Sequence, residues 1–290
     1  MMYQKENAKI LLEALPYIQK FNNKIIVVKY GGNAMLTEEM QNFVMQDIVL
    51  LSAVGIKIVL VHGGGPEITD MLSKVGKKTE FIQGLRYTDK ETVEIASMVL
   101  AGKINKTLVS KIHKTKGRAI GFCGADGCML KAKKKTGQNN VDLGFVGDII
   151  DIDVQPIEMA LANNYIPVIA SVGIDDFGQL YNINADTVAS CIAGTLSAEK
   201  LIFMTDIKGL LKDVTDPSSL ISRIKLTELK SMMSDGSISG GMIPKIQSCI
   251  EGLERGVNGA VIIDGRIPHA LLLELFSDKG IGSLFERNSY

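Results

Sequence analysis

The chain has 290 residues, in which 32 Lys and Arg balance 32 Asp and Glu, 46% are apolar and 22% are charged. That balance excludes a global field recruiting nucleic acid or an anionic membrane, and the apolar share fits a globular protein built as one large α/β domain or two lobes. No run approaches the roughly 18 apolar residues of a membrane span, and four cysteines without a CxxC pair are expected to be reduced thiols of a cytoplasmic protein rather than zinc ligands.

Residues 1–23 read as an amphipathic helix interrupted at Pro16. Ile10, Leu11, Leu15, Ile18 and Phe21 share one face, and Glu6 and Glu13 argue against a signal peptide. Such a face at a chain end must be buried, against a neighbouring subunit or against its own core. Beyond it, buried strands are expected at 25–28, 56–61, 119–122, 167–170, 201–204 and 260–263. Helices are expected at 38–53, 67–75, 89–113, 154–163, 185–196, 226–234, 244–256 and 268–276. The alternation implies a largely parallel sheet with helices on both faces, whose ligands bind at the carboxyl ends of strands. Lys131 to Asp148, including the basic run Lys131 to Lys135, reads as a solvated antiparallel excursion. A boundary between lobes is expected near 173–183, where Gly173 and Gly178 flank Asp175-Asp176.

Five segments at element ends carry candidate chemistry. Lys29-Tyr30-Gly31-Gly32 follows the first strand, where close-approaching backbone N–H groups and an ammonium suit an anion; a tight turn with a solvated lysine is the equal alternative. His62-Gly63-Gly64-Gly65-Pro66 feeds a helix N-terminus, a natural site for phosphate or carboxylate. His62 itself reads as a packing or hydrogen-bonding residue rather than a base. Asn182, Asn184 and Asp186 alternate, so an extended chain would aim them together, and helix capping explains one of the three. Gly240-Gly241-Met242-Ile243-Pro244-Lys245 puts a lysine in a helix's first turn, against the macrodipole unless an anion comes between. Thr205-Asp206-Ile207-Lys208-Gly209-Leu210 ends another strand, and Asp206 there suits a ribose hydroxyl, a metal-bound water or a plain turn. No GxxxxGK[ST], GxGxxG after the first strand, GxSxG or HExxH is present.

Residues 29–35, 61–66, 84–89, 182–186 and 240–245, together and in this order, resemble the acetylglutamate kinases of the amino acid kinase family, from residue 24 to the C-terminus. The resemblance implies a three-layer αβα sandwich with a mostly parallel central sheet, divided into an amino-acid substrate lobe (24–178) and a nucleotide-binding lobe (179–290). It implies transfer of a phosphoryl group from ATP, with Mg²⁺, to the side-chain carboxylate of N-acetyl-L-glutamate, a step of arginine biosynthesis. Lys29 and Lys245 would neutralise the transferring group and Asp186 would hold them. Gly31, Gly32, Gly240 and Gly241 would face phosphates, and Thr205, Asp206, Gly209 and Leu210 would lie along the nucleotide. Gly64, Gly65, Arg86, Asn182 and Asn184 would bind acetylglutamate, with Arg86 clamping its α-carboxylate. The leading helix (1–23) would link dimers into a hexamer. His269, Glu274 and Gly280 match a site for inhibitory L-arginine, with Ser283 standing where threonine is usual. Another carboxylate or carbamate kinase of the family, or a non-catalytic arginine sensor, is the alternative, and the second has no need of two converging lysines.

Overall fold

The computed structural model describes residues 2–35, 37–213, 215–216, 218–238 and 240–288. Helix α1 (Met2–Phe21) leads into β1 (Ile25–Tyr30), α2 (Glu38–Ala53), β2 (Lys57–His62) and α3 (Gly65–Lys74). A hairpin, β3 (Phe81–Ile82) and β4 (Leu85–Arg86), precedes α4 (Lys90–Ser97), a π turn at Met98–Ile104 and α5 (Asn105–Lys114). Next come β5 (Ala119–Cys123), β6 (Leu130–Thr136), β7 (Asp142–Ile152), α6 (Gln155–Ala162), β8 (Ile166–Ala170), β9 (Val172–Ile174) and β10 (Leu180–Asn182). The remainder is α7 (Ala185–Thr195), β11 (Lys200–Thr205), β12 (Arg223–Lys225), α8 (Leu226–Ser234), α9 (Met242–Glu254), β13 (Gly259–Asp264), α10 (Ala270–Leu275) and β14 (Ser283–Glu286).

Eight strands form one sheet in the order β12-β14-β13-β11-β1-β2-β8-β5. Neighbours are parallel except at β13–β14, which is antiparallel. Alternate residues of the central strands enter two cores. Ile26, Val28, Ile58, Leu60, Val168 and Ile202 pack with α2 and α5, whereas Val27, Val59, Val61, Leu201 and Phe203 pack with α7 and α9. Burial on both faces makes these strands continuous apolar runs, as the sequence shows.

The expected strands and helices fall where the sequence places them, with shifts at the ends. Helix α3 begins at Gly65 and α9 at Met242, each two residues before the expected start. Pro66 and Pro244 sit inside the first turn, where a missing N–H costs no helical hydrogen bond. The helix expected over 89–113 widens into the π turn, which presses Leu100 and Ile104 against Gly64. The segment 173–183 is a β9–β10 hairpin tied by Asp175, which accepts from the backbone N–H groups of Phe177 and Gln179, each at 2.9 Å. It joins β6 and β7 in a small four-stranded barrel beside the main sheet. Helix α1 runs unbroken through Pro16. Its last turns dock on the chain's own core through buried Phe21 and through Tyr17 stacked on Phe276, while Ile10, Leu11 and Leu12 stay exposed.

Phe203→Ala, emptying a fully buried site on β11, is expected to cost about 3–5 kcal/mol. Phe177→Ala, at a side chain 95% exposed, should stay within about 0.5 kcal/mol. Denaturant midpoints of the two variants check the contrast.

Candidate active site

The carboxyl ends of β1, β2 and β8 and the N-termini of α3 and α7 converge on a cleft of about 270 Å³. Lys29, on the α7 side of β1, reaches Asp186 in the first turn of α7. Asp186 Oδ1 stands 2.8 Å from Lys29 Nζ, yet this buried oxygen accepts no aligned hydrogen bond. The pair is held by charge, and Lys29 also lines the cleft. Asn184 caps α7, accepting from the N–H groups of Asp186 at 2.8 Å and Thr187 at 3.2 Å. Asn182 donates to Thr88 Oγ1 at 3.4 Å. The three alternating polar residues thus have three separate tasks, and all three line the same cleft.

The opposite wall is the glycine loop. Gly64 leaves no room for a side chain, since a Cβ there would stand 2.1 Å from Ile104 Cδ1, whereas a Cβ at Gly65 would meet nothing within 4 Å. Arg86, buried at the end of β4, donates through Nη2 to Gly65 O at 2.8 Å and Thr69 Oγ1 at 2.9 Å, and through Nη1 to Thr79 Oγ1 at 3.2 Å. Its guanidinium also lies 4.9 Å from the centre of the Phe81 ring. Among the described residues no carboxylate stands within ion-pair distance of it, and burial alone shifts its pKa down. A buried cation whose protein partners are all neutral suits an anionic ligand.

Lys245 lies elsewhere. With Asp206, Gly209, Leu210 and Gly241 it lines a cavity of about 600 Å³, so the two lysines open into different cavities. They are nonetheless neighbours through α7 and α9: buried Cys249 feels the charge of both Asp186 and Lys245, and Ser190 donates to Ser248 O at 2.8 Å. Gly31, Gly32 and Gly240 turn the chain beside these cavities, and Gly32 lines the first. Thr205 lines neither; its hydroxyl accepts from Ile207 N at 3.2 Å and shapes the turn after β11.

Glu274 and Gly280 line a third cavity, of about 520 Å³, between the end of α1 and the C-terminal strands. Glu274 is buried, accepts from Ile281 N at 2.9 Å and lies 3.6 Å from Lys200. His269 stands apart from this cavity. Its Nδ1 is 2.6 Å from buried Asp47 on α2, and its ring tilts against Phe43.

Sequence reasoning passed over Phe81, Ser171 and Leu100, which also line the first cleft. Ser171 carried a signal, as the first polar residue after the buried run 166–170. Phe81 and Leu100 carried none, because a two-residue strand and a π turn leave no periodicity.

The pattern of the amino acid kinase family matches residues 24–264. The acetylglutamate kinase of Brachyspira hyodysenteriae is 51% identical over 284 residues, 98% of each chain. That of Methanocaldococcus jannaschii is 51% identical over 291 residues, covering 98% of this chain and 97% of its own. Among solved structures, N-acetylglutamate synthase from Neisseria gonorrhoeae with coenzyme A and N-acetyl-glutamate superposes with TM-score 0.86 at 24% identity, over 98% of this chain and 64% of that one. Carbamate kinase from Giardia lamblia bound to AMP-PNP superposes with TM-score 0.66 at 17% identity, over 92% of this chain and 99% of that one. These two likenesses concern the fold.

The segment carrying Arg86 is pinned to β7 at Gly144, whose φ is +70° and where a Cβ would stand 2.1 Å from Thr88 O. Gly144→Ala should therefore cost at least about 1–2 kcal/mol from the left-handed backbone alone. It should also displace the Arg86 segment, and thermal melting together with limited proteolysis across 79–90 would register both effects.

Proposed function

The chain belongs to the amino acid kinase family, and from that premise we propose that it phosphorylates the side-chain carboxylate of N-acetyl-L-glutamate with ATP and is inhibited by L-arginine. The observation that carries the reading is the buried Arg86, without a carboxylate partner among the described residues, in the same cleft as Lys29 and the glycine loop. Relatives half identical over almost the whole chain carry the acetylglutamate kinase name, which supports the choice of acceptor.

In this reading the first cleft, the substrate lobe's part of the site, takes acetylglutamate. Arg86 offers its planar guanidinium to the α-carboxylate and Asn182 lies beside it. The second cavity takes the nucleotide: Ile207, Leu210, Ile238 and Met242 give it apolar walls for a flat base, and Asp206 suits a ribose hydroxyl. Gly240 and Gly241 precede α9, so its N-terminal N–H groups and Lys245 would meet phosphate there. Magnesium would accompany the triphosphate and neutralise part of its charge.

The acceptor carboxylate is ionised at neutral pH, so transfer needs no general base. It needs charge neutralisation along the path of the phosphoryl group. Lys29, held by Asp186, supplies this from the acceptor side, and the N–H groups of Gly32, Gly64 and Gly65 add to it. Lys245 supplies it from the nucleotide side, which requires the cavities to join as substrates bind.

Arginine is assigned to the third cavity. Glu274 is the carboxylate for the guanidinium, with Glu199, Asp278 and Glu286 also on its walls and Phe21 giving a flat apolar surface. The exposed Ile10, Leu11 and Leu12 on α1 are apolar enough to bind a second dimer in a hexamer.

Lys29→Ala and Lys245→Ala should each lower turnover by at least about 10²-fold with the fold intact; near-normal turnover in both would remove the mechanism. ADP release with acetylglutamate, but not with free glutamate, checks the acceptor. Millimolar arginine should inhibit the wild type, and Glu274→Gln should lose that sensitivity; activity flat against arginine in the wild type would dispose of the regulatory reading.

A further inference from the structure

One fully buried titratable group has no part in the chemistry above. His62 closes β2 directly beneath the glycine loop. Its Nδ1 lies 3.0 Å from Gly63 O, and its Nε2 lies 3.2 Å from Asn105 Nδ2. The orientation of the Asn105 amide follows from its other neighbours. Its Oδ1 faces the Lys106 ammonium at 3.0 Å, a group that can only donate. Its Nδ2 faces Val168 O at 2.8 Å and Phe122 O at 3.2 Å, which can only accept. Gly63 O can only accept, so the ring proton sits on Nδ1 and Nε2 is left as an acceptor facing the Asn105 amide, whose two N–H groups are shared among three acceptors. Burial favours the neutral ring, pushing its pKa down to about 4. The network needs Gly121 as well, since a Cβ there would stand 1.9 Å from Asn105 Oδ1.

Nδ1–H then donates to the Gly63 carbonyl. The Gly63–Gly64 peptide is trans and planar, so its N–H points opposite to that carbonyl. With the carbonyl drawn toward the buried ring, the Gly64 N–H is driven away from it, and Gly64 lines the cleft. Among the described residues that N–H donates to no protein group. We propose that His62 is a positioning residue, which through its Nδ1 proton locks the Gly63–Gly64 peptide with the Gly64 N–H aimed at the transferring phosphoryl group. The proposal rests on the kinase reading of the cleft.

Two substitutions separate the lock from plain packing. His62→Asn keeps an N–H donor near the position of Nδ1 and loses the Nε2 acceptor; His62→Gln reaches the Nε2 position and loses the donor to Gly63 O. Both should lower the melting temperature. The asparagine variant is expected to keep kcat within about tenfold of the wild type, while the glutamine variant loses at least about 10²-fold in kcat with little change in KM for ATP. Equal losses that follow stability would overturn the proposal. Histidine nitrogen-15 NMR of the wild type tests it without any variant: a neutral ring protonated on Nδ1 is expected, and protonation on Nε2 refutes the lock. A wild type that releases no ADP would sink the kinase reading, while the ring tautomer would still decide whether the peptide is held.

Discussion

Strands β1, β2, β8 and β11 lie at the centre of a parallel sheet covered on both faces, so a polar side chain along their length has no route to water. Chemistry is confined to where the strands stop. Lys29, one residue from the end of β1, escapes burial toward α7, and the first turn of α7 meets it with Asp186. His62, the last residue of β2, cannot escape and is satisfied internally. Helix α3 starts at that end because it follows β2 through a short turn, and α7, which comes from the barrel strand β10, starts there because it runs back to enter β11.

The same constraint sets the cleft's electrostatics. Arg86 is enclosed by neutral acceptors and an aromatic face, which meet its donors without matching its charge. A buried charge left so is costly, and a ligand carboxylate recovers part of that cost on binding. Lys29 has a carboxylate partner, but one that is out of line for a hydrogen bond. Both groups are therefore better satisfied with an anion present than without one. By contrast, the surface pairs Lys131–Asp176 and Lys134–Asp142 are solvated, and water screens them.

How much of this was legible in the sequence depends on the length of the element. The central strands announce themselves as apolar runs, and α2 and α8 match their expected bounds at 38–53 and 226–234. Elements of two or three residues, β3, β4, β9, β10 and β12, carry no period and were invisible. Strand β14 was also missed, since its pairing between β13 and β12 is a tertiary choice. The glycine loop, the two lysines and Asn182, Asn184 and Asp186 stood out because glycine and charge at strand ends are costly without a purpose. What sequence could not give is which of them share a cavity. Lys29 and Lys245 were expected across one pocket and line two, since α7 and α9 each start a different wall.

That separation bears on how the charges are deployed. Lys245 sits in the first turn of α9, where the helix dipole opposes a cation, and no acidic side chain occupies that turn. At the start of α7 the same dipole is matched by Asp186, so there the compensating charge is built in. One helix start is thus complete without ligand and the other is not. In the proposed reading, a phosphate chain entering the second cavity would supply the negative charge that α9 and Lys245 lack. The neutral His62 beneath the glycine loop adds no competing charge, and Lys29, Arg86, Asp186 and the backbone N–H groups line the cleft. For an acceptor that arrives already ionised, a site of fixed positive charge and rigid donors, with no proton to move, is a sufficient chemical apparatus.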